Sequence, residues 1–251
     1  MAWVTRALEA AGCVAADEET DELVAVARDP AELRRMVARR RTGEPLPWIT
    51  GTTRFCGREV AVDPGVYVPR WQSEPLARRA AGLLPAAGTA VDLCTGSGAV
   101  ALVLQTAHPD ARVVGTELDP VAATCARRNG VGVHQGSLDE PLPPDLARSV
   151  DVLVGVLPYV PADALHLLPR DVQVFEPRRA LDGGPDGLSL VSTAVARSPR
   201  WVRPGGWLLL ELGGDQVTAV TGLLEGAGFG SIEVLEDGDG DPRGIAGRRG
   251  G

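Results

Sequence analysis

The sequence predicts an α/β protein: a doubly wound, largely parallel sheet, preceded by a small amino-terminal helical region and a β-hairpin. Three observations carry this expectation. Apolar runs at residues 90–94, 112–117, 131–135, 151–156 and 207–212 alternate with helical periodicity at 99–107, 120–129, 188–197 and 217–227, the signature of successive βα units. Residues 91–98, Val-Asp-Leu-Cys-Thr-Gly-Ser-Gly, run from a strand straight into a glycine turn that opens a helix. An acid, Glu117, ends the next strand. Together these describe a Rossmann-like unit.

The elements follow in order along the chain. Trp3, Ala7, Leu8 and Ala11 share one helical face, and Gly12 stands where a helix C′ residue would. A second helix starts at Asp29-Pro30 with Glu32 three positions on, a cap followed by the apolar series Leu33, Met36 and Val37. The same helix carries Arg34, Arg35, Arg39, Arg40 and Arg41, read as a solvated face, with a docking surface for an acidic partner as the alternative. Residues 52–62 alternate around Cys56-Gly57 as a hairpin, before a Pro64-Gly65 turn and Tyr67-Val68-Pro69-Arg70. The junction between regions is placed near Pro75, giving a substrate-side part over residues 1–75 and a cofactor-binding part over 76–251. The Gly/Asp-rich stretch 237–244 reads as a turn before a short last strand, and residues 248–251 as frayed.

Composition narrows the function classes. The 251 residues suffice for a sizeable core without staples. The cysteines Cys13, Cys56, Cys94 and Cys125 form no C-x-x-C pair, so neither a zinc site nor a disulfide framework is expected, and a reducing cytoplasm fits. Arg6 and Glu9 interrupt the amino terminus and no stretch reaches the length of a membrane span, so neither export nor membrane insertion is expected. A net charge of −8 argues against direct, general nucleic-acid binding. All 25 cations are arginine, which removes a Walker P-loop, a Schiff base and a lysine base from consideration.

The turn at residues 92–98 is the strongest chemical signal. Gly96 and Gly98 clear side chains from a place where backbone passes a ligand, and the following helix start offers free N–H groups. Glu117 stands where a carboxylate accepts ribose hydroxyls. A dinucleotide competes for this reading, because residues 96–101 also satisfy G-x-G-x-x-A. Asp92 separates the two: its carboxylate would repel a pyrophosphate and suits the ammonium end of S-adenosylmethionine. Hydride chemistry also needs an acid or base, and His108 and His134 fall at a helix end and in a strand, while His166 stays open as a candidate.

A longer set of motifs follows in order: Gly43-Glu44-Pro45-Leu46, Gly51, Phe55, Gly57, Val62-Asp63-Pro64-Gly65-Val66, Val68-Pro69-Arg70 and Glu74, then the turn at 92–98. Beyond it come Pro158-Tyr159-Val160-Pro161, Glu176-Pro177-Arg178, Ala180-Leu181-Asp182-Gly183-Gly184, Asp186-Gly187-Leu188, and Pro204-Gly205-Gly206 with Glu211. With these the chain resembles the HemK/PrmC-like protein N5-glutamine methyltransferases, which act on peptide chain release factors. The resemblance implies a class I methyltransferase fold and S-adenosyl-L-methionine as cofactor. It implies cofactor contacts from Asp92, Cys94, Thr95, Gly96, Ser97, Gly98, Glu117, Leu118, Ser137, Leu138 and Val156, with Leu138 near the adenine. It places the chemistry at Val156, Leu157, Pro158 and Tyr159, and requires no metal.

Four departures bear on the acceptor. The family's Asn-Pro-Pro-Tyr is here Val156-Leu157-Pro158-Tyr159. In the family the asparagine oxygen and the following backbone carbonyl accept the two amide hydrogens and orient the nitrogen. Val156 supplies shape alone, and an amide hydrogen buried without its acceptor costs about 1–3 kcal/mol. Ser137 stands where relatives place an acid, Trp71-Gln72-Ser73 replaces Pro-x-Thr, and the helical region is short for the family. Three readings stay open: a glutamine N-methyltransferase acting on a release factor, a methyltransferase recruited to another small-molecule or peptide acceptor, and a cofactor-binding protein without catalysis. Tyr159 is read either as part of the acceptor site or as a rim aromatic covering the core.

Overall fold

The computed structural model describes residues 1–251. The amino-terminal region contains four helices: α1 (Ala2–Glu9), α2 (Ala16–Val26), α3 (Pro30–Arg40) and α4 (Leu46–Thr50). Asp29 caps α3 as the sequence predicts, its carboxylate accepting the N–H groups of Ala31 and Glu32 at 2.8 and 2.7 Å. Ala7 and Leu8 of the predicted face pack into the core together with Val4, whereas Trp3 is exposed and Ala11 lies in the turn after the helix. α2 carries no start signal of its own beyond three acids in its first turn and was not separated from its neighbours on sequence. Val4, Leu8, Leu23, Met36, Val37 and Ile49 form the core of this region. The five arginines, four in α3 and Arg41 at its C-cap, are divided: Arg40 bonds Glu19 on α2 and Arg39 bonds Glu44, so two of the five tie the region together.

The hairpin follows, β1 (Thr52–Phe55) pairing antiparallel with β2 (Arg58–Ala61). Both turn residues, Cys56 and Gly57, have positive φ, 49° and 73°, the type I′ geometry that matches strand twist. Helix α5 (Glu74–Leu83) comes next, so residue 75 lies in the first turn of a helix. Phe55 and Val60 of the hairpin pack in one core with Leu76, Ala77 and Ala80 of α5. The separately packed helical core ends at Ile49.

The remaining elements are β3 (Thr89–Leu93), α6 (Ala99–Ala107), β4 (Arg112–Glu117), α7 (Pro120–Arg128), β5 (Gly132–Gln135), β6 (Val150–Gly155), α8 (Arg170–Phe175), α9 (Ser189–Arg197), β7 (Val202–Glu211), α10 (Val217–Gly226), β8 (Phe229–Glu236) and β9 (Pro242–Arg249). The seven strands are ordered β5-β4-β3-β6-β7-β9-β8. Pairings from β5 through β7 are parallel, and β9 is antiparallel to both neighbours. The order reverses between β3 and β6, where doubly wound sheets open a crevice at the carboxyl ends of their strands. One core lies beneath α5 and α6 and the other beneath α9 and α10.

One expectation at the carboxyl end is corrected. Arg248 and Arg249 are not frayed: they pair with Trp207, Gly230 and Phe229 inside β9. β8 was unread because its ladder shifts register between Gly230 and Glu233, which breaks the period-two alternation by which a strand is recognised. No helix is long and apolar enough to cross a membrane.

Candidate active site

A cavity of about 690 Å³ opens at the carboxyl ends of β3, β4, β6 and β7, a volume in the range of small-molecule and cofactor sites. The turn after β3 builds one wall. Cys94, Gly96 and Gly98 all have positive φ, 54°, 57° and 85°, so the chain coils tightly before α6. The positive φ is strained for Cys94 but not for the two glycines, and strain of that kind collects at ligand sites. Asp92 is buried and its carboxylate accepts the Thr95 hydroxyl at 2.6 Å and the Ala101 N–H at 3.2 Å. Burial pushes its carboxyl up to about 7, against those two bonds and with the charge of Glu117 adding to the rise. Burial likewise pushes the Cys94 thiol far up, so it is no nucleophile at neutral pH.

Glu117, at the end of β4, holds the turn from the side. Its two carboxylate oxygens accept the N–H groups of Gly96 and Asp119, each at 2.9 Å, and burial raises its proton affinity. A carboxylate oxygen has capacity beyond one bond, so both remain able to accept from a ligand. Leu118 and Leu138 line the same wall, with Ser137. Leu138 adopts a positive φ of 46°. The Ser97 hydroxyl lines the cavity, buried and without a hydrogen-bond partner, which marks a polar group awaiting a ligand.

Residues 156–159 close the opposite side. Val156, Leu157, Pro158 and Tyr159 all line the cavity. The loop is clamped by Leu181, Gly183 and Gln216: Gly183 donates to the Val160 carbonyl at 2.8 Å, Val160 donates to the Leu181 carbonyl at 3.0 Å, and the Gln216 amide donates to the Tyr159 carbonyl at 3.0 Å. Gly187, with φ +75°, leaves no room for a methyl beside the Tyr159 carbonyl. The carbonyl of Leu157 receives no hydrogen bond from the protein. The Tyr159 hydroxyl donates to Glu211 at 2.9 Å.

The fold thus brings nearly every residue named from sequence to one cavity: Asp92, Cys94, Thr95, Gly96, Ser97, Glu117, Leu118, Ser137 and Leu138 on one side and residues 156–159 on the other. Gly98 is the exception. A methyl there would meet Val131 and Ala126 rather than a ligand, so its bare backbone serves helix packing. His166 is exposed outside the cavity, its ring bonded to the Asp163 carbonyl. His108 bonds the Ala81 carbonyl at 2.8 Å, a structural role.

Sequence reasoning assigned no role to several lining residues. Gln72 lines the cavity, and Tyr67, Ser73 and Arg243 gather around Tyr159 and Glu211. Asp119 and Arg179 also line the cavity and pair at 3.0 Å, bridging the start of α7 to the segment before residue 183. Arg70 pairs with the buried carboxylate of Glu176 and lies over the Tyr67 ring at 5.5 Å. The motif fragments containing Arg70, Glu176 and Glu211 signalled a family likeness, but nothing in their spacing shows that they converge. Asn129 is a further link. Its amide donates to Ala61 and to Ser97, both at 2.8 Å, fastening the hairpin to the turn.

No family model matches the chain. A release factor glutamine methyltransferase from Geobacter sulfurreducens is 39% identical over 231 residues, covering 88% of this chain and 80% of that protein. One from Neisseria gonorrhoeae is 37% identical, over 83% of this chain and 79% of that protein. The 4-amino-L-phenylalanine/4-methylamino-L-phenylalanine methyltransferase of Streptomyces pristinaespiralis is 35% identical over 89% of this chain and 80% of its own length. Among solved structures, the Thermus thermophilus 16S rRNA N2 G1207 methyltransferase in complex with AdoMet and guanosine superposes with a TM-score of 0.55 at 19% identity, over 80% of this chain and 44% of that one. The ribosomal protein L11 methylase of Lactobacillus delbrueckii gives 0.52 at 16% identity, over 76% of this chain and 86% of that one. These two establish the class I methyltransferase fold, and the identity and coverage of the first relatives establish the rest: the chain belongs to the release factor glutamine methyltransferase family.

Proposed function

We propose that this chain transfers a methyl group from S-adenosylmethionine to a nitrogen held over residues 156–159. One observation carries the reading: the strained turn, the Glu117 carboxylate and the 156–159 loop line a single cavity. When bound, the cofactor supplies a methyl group made electrophilic by its sulfonium. Glu117 accepts the ribose hydroxyls, Leu118 and Leu138 flank the adenine, and Ser137 lies at its edge. The backbone of Cys94, Thr95, Gly96 and Ser97 wraps the amino-acid end, with Gly98 setting the turn and ionised Asp92 answering the ammonium. Val156 and Leu157 orient the acceptor through shape and the Leu157 carbonyl, and Pro158 and Tyr159 form its floor. Residues 76–251 are assigned to cofactor binding and the region 1–75 to the substrate side. Contact between Trp48 and Phe175, ring centroids 6.3 Å apart, supports that side, because α8 carries the lining residues Asp171 and Val172.

Family membership brings a release-factor glutamine forward as acceptor. A specific observation favours a second: Val156 offers no acceptor for an amide hydrogen, and the Streptomyces relative is named for an amine. Calorimetry with S-adenosylhomocysteine and with NAD tests the cofactor assignment, and heat with NAD alone overturns it. Mass spectrometry of a release factor incubated with enzyme and methyl-labelled cofactor tests the acceptor. Weak or no label is expected with the wild type, and Val156→Asn should increase it by restoring one acceptor in a dry pocket. Brisk wild-type labelling of the glutamine would show that shape and the Leu157 carbonyl suffice.

A further inference from the structure

The sheet register sets Val156 beside an unused carboxylate. Gly155 pairs with Leu210 in the parallel β6–β7 ladder, so Val156 and Glu211 leave the sheet as neighbours. Side chains alternate along a strand, and here the alternation is visible in the packing. Val152, Val154, Val156 and Leu209 belong to one core, whereas Leu153, Leu157, Leu208, Leu210 and Leu212 belong to the other. Glu211 therefore projects to the same face as Val156. It lines the cavity at 2% exposure. One carboxylate oxygen accepts the Tyr159 hydroxyl at 2.9 Å, the Ser73 hydroxyl stands nearby, and the other oxygen is buried without a hydrogen bond of normal geometry.

A buried carboxylate oxygen left unpaired is costly, and the ligand that satisfies it must bring a donor. The number of acceptors distinguishes the candidates. An amide nitrogen, with its lone pair delocalised, needs both hydrogens held by acceptors in its plane; Val156 has removed one of them. An amine keeps its lone pair on nitrogen and needs only one acceptor for the hydrogen it will lose. We propose that Glu211 is the catalytic hydrogen-bond and proton acceptor for the methylated nitrogen, and that with Val156 in place of the family's asparagine the site takes an amine rather than an amide. This rests on the methyltransferase reading above.

The step balances without a further reactant. The nitrogen lone pair forms the N–CH₃ bond as the S–CH₃ bond breaks and its electron pair returns to sulfur. The nitrogen then carries the positive charge, and its proton passes to Glu211 Oε2. That leaves a neutral N-methylamine and a protonated carboxyl, which solvent deprotonates after release. Burial raises the proton affinity of Glu211, opposed by the Ser73 and Tyr159 hydroxyls and by Arg243, which strengthens it as a base. The groups that face it are Tyr159 from the loop after β6, Tyr67 and Ser73 from the segment before α5, and Arg243 from β9.

The test uses the full chain with S-adenosylhomocysteine and 4-amino-L-phenylalanine as the probe amine. Glu211→Gln keeps an oxygen for Tyr159 but turns the free position into a donor. Calorimetry should find S-adenosylhomocysteine binding within twofold of wild type and binding of the amine to that complex weakened at least tenfold. With S-adenosylmethionine, methyl transfer to the amine should fall at least 100-fold, and the acid limb of its pH profile should retreat to the protonation of the amine itself. Should Glu211→Gln fail to fold, Tyr159→Phe removes the hydroxyl that favours the ionised carboxylate, and the acid limb should move to higher pH. Unchanged amine binding and turnover in Glu211→Gln, or an unmoved acid limb in Tyr159→Phe, overturns the inference. So does a wild-type complex that takes up a release-factor glutamine peptide and no amine, or that takes up neither. Failure to bind S-adenosylhomocysteine at all would instead overturn the methyltransferase reading.

Discussion

Replacing Glu117 with alanine removes a carboxylate that does two things at once, and the two separate in measurement. In the free protein it accepts the N–H groups of Gly96 and Asp119, each at 2.9 Å. Losing these leaves two donors in a buried setting, where an unsatisfied group costs about 1–3 kcal/mol. Part is recovered, because burial already disfavours the ionised Glu117. A net loss of about 1–3 kcal/mol corresponds to a fall of roughly 2–12 °C in Tm for a chain of this size. Binding carries a second loss. Charge-assisted bonds to ribose hydroxyls contribute about 1.5–3 kcal/mol, or roughly 10- to 150-fold in Kd. Titration calorimetry with S-adenosylhomocysteine, at a temperature where circular dichroism shows the variant folded, reads the second effect apart from the first. A Kd within twofold of wild type would refute the ribose assignment, whatever happened to Tm.

Two further outcomes test other parts of the site. Gly187→Ala sets a methyl against the Tyr159 carbonyl at a φ of +75°, so turnover on the acceptor should fall at least tenfold while the Kd for S-adenosylhomocysteine stays within about threefold; equal losses in both would show that the 183–187 segment does not act through the acceptor loop. Asp92 titrates at about 7 against an ordinary 3.8, so the folded state holds this proton more tightly than the unfolded chain. That contribution to stability is fully present below pH 3.8 and is lost as pH rises through about 7. Asp92→Asn keeps an oxygen for Thr95 and Ala101, and it should raise Tm relative to wild type by more at pH 8 than at pH 4. Equal shifts at the two pH values would show that ionised Asp92 is not a buried penalty.

The legible parts of the chain are those whose chemistry is local. The helix at residues 99–107 was read with the bounds it has, because an apolar stripe and a glycine turn mark its start within a few residues. The Asp29 cap was equally readable, since its two hydrogen bonds span only three positions. The carboxyl end was harder. β9 holds Gly244, Gly247, Arg248 and Arg249, residues that argue for a loop, yet it sits between β7 and β8 and completes its backbone bonds on both sides. Ladder pairing overrode propensity there. The three residues at positions 71–73 were seen to depart from the family, but not that all three line the cavity or that Gln72 has a buried, unpaired oxygen.

From its residues alone the chain specifies a doubly wound sheet, a nucleoside turn and an acid at the end of the next strand, whereas the departure at Val156 is legible only through the family resemblance. Each of the former is a feature of a few neighbouring positions, so spacing and residue type suffice. The convergence of Glu211, Tyr159 and Tyr67 at one end of the cavity is different, since these residues are far apart in the chain and only sheet order and register put them on one face. The same is true of the Asn129 bridge, which joins a helix end to a hairpin and a turn through contacts that no local pattern encodes. Packing, not periodicity, decides which carboxylate stands beside Val156, because a side chain's neighbours across a sheet are set by the strands that pair with it.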